Sequence, residues 1–238
     1  MRKIKIAVLI PDRCDRPEFM HNCLQMMKSQ TLQPVYIHIE NYKPESAHPD
    51  ITQRYRRGYE YLSAMFNDKI NLGEIDLIAF IENDDYYAPN YLETMAQMWE
   101  ENGCSDMIGT TYSHYYHLSM LKYSKLEHFT RSAAMNTFIK PNLNISWCAD
   151  SQPYTDMHLW TNLKGVSKTL VAPENIISIG MKHGIGKCGG AHHTNRLDRY
   201  RESDEDRHWL KSNTLDSFDF YYAMSLDLRA RESMLIQH

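Results

Sequence analysis

The first hundred residues alternate between short apolar runs and longer amphipathic segments, and this alternation limits the possible folds more than any other feature. Apolar runs cover residues 6–10, 35–39 and 75–81, and after each one apolar residues recur every three or four positions. Short apolar runs predict buried strands, whereas the longer period predicts helices that pack by one face. Strands that alternate with helices form parallel sheets through right-handed crossovers. We therefore predict an α/β fold with a mixed, mainly parallel sheet flanked by helices.

Polar residues follow each of the three predicted strands. Asp12 and Arg13 follow the first strand, Glu40 and Asn41 end the second, and residues 82–85 follow the third. Ligands of open α/β sheets bind outside the carboxyl ends of the strands. The three polar clusters are therefore expected to meet at one binding site.

The third cluster holds three carboxylates within four residues, Glu82, Asp84 and Asp85. Such groups repel one another unless a cation or hydrogen-bond donors lie between them. Hard divalent cations such as Mn²⁺ and Mg²⁺ take oxygen ligands, and Mg²⁺ commonly shares its coordination with substrate phosphates. A solvated acidic turn that caps the next helix is the alternative. A chain of 238 residues needs no metal to hold its core together, so a metal here is expected to be functional.

Composition argues against several classes of protein. The chain has 26 Lys and Arg against 30 Asp and Glu, a net charge of −4, which disfavours nucleic-acid binding through bulk charge. No apolar run is long enough to span a membrane, and the first residues lack the cleavage site of a signal peptide. Five widely spaced cysteines favour reduced thiols over a disulfide framework. We therefore expect a cytoplasmic protein without a membrane span.

The ordered motifs of the first half resemble those of glycosyltransferase family 2 and its relatives with the GT-A fold. In that family a strand ends in a D-x-D motif and a further acidic residue, then a Pro and a Leu-Glu pair mark the next helix. Residues 78–93 show this order, although Glu82 stands where the family usually has Asp. Residues 9–31 resemble the family's first strand and helix. The resemblance covers residues 4–103 well and extends loosely to Leu163.

This resemblance implies a nucleotide-sugar donor, with a UDP-sugar favoured, bound at the sheet edge together with Mn²⁺ or Mg²⁺. Asp84 and Glu82 would bind the metal, with His183 as the third ligand and Asp85 or His192 as less favoured ligands. Sugar transfer leaves a nucleoside diphosphate, whose growing negative charge a Lewis acid stabilises. The expected donor contacts are Pro11, Asp12, Arg13, Glu40, Arg54, Arg57, Glu82, Asn83, Lys182 and Lys187. For the two arginines of the second helix, a solvated helix face is the alternative.

The second half supplies a candidate base. Residues 154–160 resemble the segment in which inverting members of the family carry an acidic pair before a helix, with Thr155 in place of the first acid. The resemblance makes Asp156 the base that deprotonates the acceptor hydroxyl, and it favours inversion over retention. A simple helix cap is the alternative role for this residue.

Half of the ten glycines lie between residues 180 and 190. This density predicts a mobile loop that closes over the diphosphate, with its two lysines as cationic donors. A formal G-x-G-x-x-G pattern at residues 184–189 is not followed by a βαβ unit, and the P-loop pattern is broken, so neither nucleotide motif is expected. A zinc site of His183, Cys188, His192 and His193 is a further alternative, although its spacing matches no common zinc motif.

Together these features predict a metal-dependent hexosyl- or pentosyltransferase that moves a sugar to an acceptor hydroxyl. The alternatives are a catalytically inactive GT-A-fold protein that binds a nucleotide sugar or a partner and, less favoured, a sugar nucleotidyltransferase. The acceptor stays open between a glycan, a lipid-linked sugar, a protein and a modified nucleobase of DNA. The three tyrosines and two histidines of residues 112–117 predict either a stacking wall for the acceptor or ordinary strand residues.

We divide the chain into two parts. Residues 1–195 form the predicted catalytic domain, in which residues 1–103 hold the donor and metal and residues 104–195 hold the acceptor and the glycine-rich loop. Residues 196–238, which carry charges of both signs, form a predicted helical C-terminal extension.

Overall fold

The computed structural model of the chain describes residues 3–43, 49–67, 74–184 and 200–236. Within these ranges the strands are β1 (Ile6–Asp12), β2 (Tyr36–Asn41), β3 (Leu77–Phe80), β4 (Tyr86–Tyr87), β5 (Met107–Thr110), β6 (Tyr112–His117), β7 (Lys122–Glu127), β8 (Phe138–Ile139), β9 (Lys168–Val171), β10 (Ser178–Lys182) and β11 (Glu202–Ser203). The helices are α1 (Pro17–Lys28), α2 (Ile51–Asn67), α3 (Tyr91–Glu101), α4 (Thr155–Asn162), α5 (His208–Thr214) and α6 (Phe218–Ile236).

The first sheet has the strand order β2-β1-β3-β8-β5-β9. Strand β1 pairs in parallel with β2 and β3, β5 pairs in parallel with β9, and β8 is antiparallel to both of its neighbours. Every residue of β1 and β3 is buried, because α2 covers one face of the sheet while α1 and α3 cover the other. Burial on both faces explains why these strands read as continuous apolar runs. The predicted mixed α/β architecture with a mainly parallel sheet is confirmed.

A second sheet, with the order β11-β7-β6-β10-β4, was not expected from the sequence. It is antiparallel except for the parallel pair of β6 and β10. The sequence pattern predicts one strand over residues 107–116, but this strand is interrupted at Thr111. The apolar half before the break is buried in the first sheet as β5, whereas the Tyr- and His-rich half joins the second sheet as β6. Hydrophobicity alone does not mark this change of sheet.

The sequence pattern also predicts strands at residues 145–147 and 175–179, and both differ from the structure. Residues 145–147 form no strand; Ile145 and Trp147 instead pack as partly buried side chains against the core cluster beneath α2. The strand expected at residues 175–179 lies three residues later, as β10.

The C-terminal segment packs against the same core as the rest of the described chain. Strand β11 pairs with β7, while Leu210 of α5 and Tyr221 of α6 are fully buried. Asp204 fixes the start of α5 by accepting hydrogen bonds from backbone amides, and the Tyr116 hydroxyl donates to the same carboxylate over 3.0 Å. The boundary at residue 195 stays a prediction. None of the helices in the described ranges combines the length and apolar character needed to cross a bilayer.

Candidate functional site

An acidic turn connects the two sheets. Strand β3 ends at Phe80 in the first sheet and β4 begins at Tyr86 in the second, so residues 81–85 carry the chain between them. The Asp85 Oδ1 atom accepts a hydrogen bond of 2.8 Å from the backbone amide of Met181, which ties the turn to β10. The end of β10 thereby brings Lys182 and His183 to the turn.

The three carboxylates of the turn form a cluster. Glu82, Asp84 and Asp85 each offer an oxygen atom, and these atoms lie within 4.8 Å of one another. Asp84 and Asp85 are buried, and Glu82 is partly buried. Burial raises the pKa of Asp85 well above its usual value and also raises the pKa of Glu82, and the mutual repulsion of the carboxylates adds to both shifts.

Basic groups surround this carboxylate cluster. Arg16 Nη1 donates to Asp84 Oδ2, and His183 Nε2 lies 2.9 Å from the same oxygen. Burial alone would raise the pKa of Asp84, but Arg16, His183 and Lys182 outweigh it and hold that pKa below its usual value. Burial alone would lower the pKa of Lys182, but the three carboxylates outweigh it and raise that pKa. The cluster is therefore partly, but not fully, neutralised by the chain itself.

The carboxylate cluster fits a hard divalent cation. Asp85 Oδ2 is buried, and no donor among the described residues forms a hydrogen bond to it. A buried carboxylate oxygen without a partner, close to two further carboxylates, is the donor set that Mn²⁺ or Mg²⁺ prefers. Arg16 and His183 contact Asp84 Oδ2, so a cation would share that carboxylate with them. Asp85, the less favoured ligand by sequence, belongs to the cluster as fully as Glu82 and Asp84.

The candidate base lies beside the carboxylate cluster. Glu82, Tyr115, Asp156 and Lys182 line one cavity of about 100 Å³. Asp156 lies in the first turn of α4, where the partial positive charge of the helix favours a carboxylate. Arg131 Nη1 donates to Asp156 Oδ2 over 2.7 Å. Burial raises the pKa of Asp156, and Arg131 opposes that rise.

The ends of β1 and β3 meet as the sequence predicted. Asn83 Nδ2 donates to Asp12 Oδ1 over 3.0 Å, and the backbone amide of Cys14 donates to the same oxygen over 3.1 Å. Asn83 is buried, and its Oδ1 atom has no hydrogen-bond partner in the part of the chain that the structure describes. Pro11 is buried within β1. Asp12 and Asn83 therefore form one polar floor between the two strand ends.

Arg54 occupies a different place from the one expected. Its side chain is fully buried. The guanidinium donates to the Asp50 carboxylate and to the carbonyl oxygens of Asp12, Glu40 and Tyr42. It thus ties the ends of β1 and β2 together. Its burial excludes the alternative of a solvated helix face, and its contact with the donor stays a prediction. The guanidinium is saturated by these acceptors, whereas an amphipathic pattern cannot distinguish a buried Arg from a solvated one.

The other predicted donor contacts differ in exposure. Arg13 donates to Asp50 and is held against the strand ends. Arg57 is half exposed, and its Nε atom lies 3.0 Å from Glu40 Oε1. The other carboxylate oxygen of Glu40, Oε2, lies 3.0 Å from His38 Nε2. At the end of β2 the Arg57 side chain is thus accessible, whereas its partner Glu40 is buried. Lys187 and His192, together with the rest of the zinc alternative beyond His183, lie outside the described residues.

Arg16 and Arg131 were not predicted as site residues. They lie 68 and 25 positions from the carboxylates that they contact, and only the sheet topology brings these pairs together. The predicted stacking wall is also divided, because side chains alternate along β6. Tyr115 lines the cavity with Asp156, whereas His114 lines a separate groove on the opposite face.

Comparison with known proteins gives one similarity in sequence. The chain is 28% identical over 87 residues to EpsH of Bacillus subtilis (strain 168), whose name assigns it provisionally to the glycosyltransferases. The chain resembles glycosyltransferases. This agrees with the resemblance of the ordered motifs in the first half. The match covers 32% of this chain and 25% of EpsH, and no protein-family model matches the sequence.

The solved structures that are similar to this chain share little sequence identity with it. TarS 1–349 of S. aureus in complex with UDP-GlcNAc is 11% identical with a TM-score of 0.49, covering 75% of this chain and 59% of TarS 1–349. The glycosyltransferase involved in glycosylation of the major capsid of PBCV-1 is 8% identical with a TM-score of 0.39, covering 74% of this chain and 92% of its own.

Proposed function

We propose that this chain is a metal-dependent glycosyltransferase that moves a sugar from a nucleotide-sugar donor, most simply a UDP-sugar, to an acceptor hydroxyl. The observation that carries the proposal is the cavity lined by Glu82, Asp156 and Lys182, which adjoins the acidic turn at the end of β3. A candidate base, a buried ammonium group and one carboxylate of the cluster share this cavity, which supports the proposal. The sequence similarity to EpsH supports the same activity.

Each group has a role that its surroundings suit. The carboxylates of Glu82, Asp84 and Asp85 would hold Mn²⁺ or Mg²⁺, with His183 adjoining through Asp84. The cation, when bound, would supply Lewis-acid stabilisation for the diphosphate leaving group. The carboxylates keep Lys182 protonated by raising its pKa, so its ammonium group can offset part of the negative charge of the diphosphate.

The nucleoside would lie along the strand ends. Asp12 and Asn83 offer a buried polar floor, and the unpartnered Oδ1 of Asn83 can accept a hydrogen bond from a ligand. Glu40 and Arg57 stand at the rim beside β2 and would contact the base or the ribose. Arg54 and Arg13 would act indirectly, by fixing these strand ends.

Asp156 would act as the general base for an acceptor hydroxyl and so give inversion at the transferred carbon. A base must be deprotonated and within hydrogen-bond reach of the proton that it removes. Arg131 meets the first requirement, since its charge stabilises the carboxylate form of Asp156. Arg131 binds the Oδ2 oxygen of this carboxylate, and backbone amides of the first turn of α4 also stabilise its charged form. Arg131 is therefore a positioning residue.

Calorimetric titration with UDP tests the donor site. UDP should bind the wild-type chain at least tenfold more tightly with Mn²⁺ than with EDTA, because a cation held by the carboxylates would offset the negative charge of the diphosphate. Asp84→Asn should lose most of that metal-dependent gain, whereas Glu100→Gln, an exposed acid on α3, should keep it. Equal affinities with and without metal would contradict the metal role, and no binding of any nucleotide would contradict the donor site itself. Binding without any turnover would favour the catalytically inactive alternative.

A further inference from the structure

The second sheet carries a groove on the face that turns away from the acidic turn. It has a volume of about 590 Å³, and the residues that define it are His114, Tyr123, Lys125, Ile176, Arg201 and Trp209. An adjoining hollow of about 120 Å³ shares His114, Lys125 and Ile176 and extends to Tyr112. The groove therefore runs across β6 and β7 from Trp209 towards Tyr112.

Alternation along β6 separates this groove from the catalytic cavity. Tyr115 points to the cavity that holds Asp156, whereas His114 lines the groove on the other face. His114 is paired in register with Lys125, and Tyr116 with Tyr123, so these four side chains share the groove face. A ligand in the groove would not meet the carboxylate cluster.

One end of the groove is an ordered aromatic wall. The Trp209 ring stacks on Tyr123 with a centroid separation of 4.4 Å and an interplanar angle of 9°, and it stacks on Tyr116 at 5.8 Å with the same angle. At the other end, the Lys125 ammonium lies 3.6 Å from the centroid of the Tyr112 ring. Rigid aromatic side chains offer large apolar surfaces at low entropic cost, and the C–H faces of sugar rings pack on such surfaces.

The centre of the groove is polar. Burial, assisted by the Lys125 charge, lowers the pKa of His114 to about 4. The imidazole is therefore neutral near pH 7, with one nitrogen that donates and one that accepts. Within the described part of the chain, no hydrogen bond reaches this ring. Lys125 adds donors, and Glu202 adds an acceptor at the rim.

We propose that this groove binds an oligosaccharide, at a site separate from the donor site. Sugar hydroxyl groups both donate and accept hydrogen bonds. They can therefore pair with the neutral imidazole of His114, the ammonium of Lys125 and the carboxylate of Glu202. The volume lies in the range of about 300–1,000 Å³ typical of pockets for small ligands, which suits two or three sugar rings. A nucleotide is a poorer match, because Glu202 stands among the basic groups. The groove does not depend on the proposed transferase activity.

The test uses the full chain without donor, on an array of linear neutral and uronic-acid oligosaccharides four to eight sugars long. The strongest binder is then titrated by calorimetry against wild type, a His114→Ala, Lys125→Ala double variant, and Lys164→Ala as an exposed control. The double variant should bind at least tenfold more weakly, since about 1.4 kcal/mol of lost hydrogen bonding is one factor of ten. The control should match wild type. UDP with Mn²⁺ at saturating concentration should not displace the oligosaccharide.

Three results would overturn the proposal. These are the absence of any oligosaccharide binding, unchanged affinity in the double variant, and displacement by UDP with Mn²⁺, which would place the sugar in the donor site. A thermal unfolding midpoint equal to that of wild type shows that the double variant is folded. If the double variant does not fold, Lys125→Ala alone replaces it, because this side chain is exposed, and a several-fold loss of affinity is then expected. Failure of UDP to bind would contradict the proposed function and leave the groove unaffected.

Discussion

Removal of the Arg131 guanidinium should move the pH dependence of the reaction. Arg131 Nη1 donates to Asp156 Oδ2 over 2.7 Å, and the side chains are 30% and 15% exposed. Burial raises the pKa of Asp156, and Arg131 is the main group that opposes it. In Arg131→Ala the carboxylate loses this charge, so its pKa must rise further. Since the base is active only when deprotonated, activity should be lost from the acid side.

The size of the shift follows from the geometry of the ion pair. A hydrogen bond between charged groups contributes about 1.5–3 kcal/mol, and partial exposure places this pair near the lower limit. One pKa unit corresponds to about 1.36 kcal/mol, so the acid limb should move up by about one unit. At pH values below the limb, kcat/KM should fall about tenfold. Well above it, kcat/KM should change little.

The assay is release of UDP from a UDP-sugar between pH 5 and pH 9, with kcat/KM fitted to a single ionisation on the acid side. Arg131→Lys should restore most of the wild-type profile, because an ammonium group can still pair with Asp156. Arg56→Ala is the matched control, since it breaks a comparable ion pair with Asp150 away from the cavity. An acid limb that stays in place, or a uniform loss at all pH values, would refute the role of Arg131 and of Asp156 as the titrating base.

Two further predictions concern stability. Arg54→Met should lower the free energy of unfolding, measured in urea, by about 3–5 kcal/mol, because it leaves buried acceptors unpaired. Arg57→Ala removes a half-exposed side chain and should change that free energy by no more than about 0.5 kcal/mol. Equal effects of the two substitutions would contradict the buried network. Burial lowers the pKa of His117 to about 4, so the unfolded chain binds more protons between about pH 6.5 and pH 4, and stability falls as the pH drops through this window. Between pH 7 and pH 5, His117→Gln should lose about 2 kcal/mol less than wild type in urea unfolding, and identical slopes would contradict the assigned burial.

The first half of the fold was predictable because its physics is local. Strands of a parallel sheet that are buried on both faces are continuously apolar, and residues 6–10 and 77–81 are. Polar groups at their ends, Asp12 and Asn83, then meet by topology alone. The second sheet was not predictable in this way. Its strand β6 is Tyr- and His-rich, and it follows β5 after a single residue, so no turn signal marks the point where the chain changes sheets.

The part of the site that was easiest to predict is the contiguous motif. The carboxylates of residues 82–85 are adjacent in sequence and follow an apolar strand, so their mutual repulsion is enough to suggest a cation. Arg16 and Arg131 contact carboxylates far away in the chain, so no spacing rule reveals them. The burial of Arg54 was not predictable either, because an Arg on an amphipathic helix is usually solvated and a sequence pattern does not show the strand-end carbonyl groups that bind it.

The most direct measurement of the central claim is turnover of a panel of nucleotide sugars with Mn²⁺, followed as release of the nucleoside diphosphate, for wild type and Asp156→Asn. The account predicts that at least one UDP-sugar is turned over by wild type. It also predicts that Asp156→Asn is slower by about 10²–10⁴-fold while it binds UDP normally, because only the base is removed. Full turnover by Asp156→Asn, or no turnover of any nucleotide sugar by the wild-type chain, would contradict it.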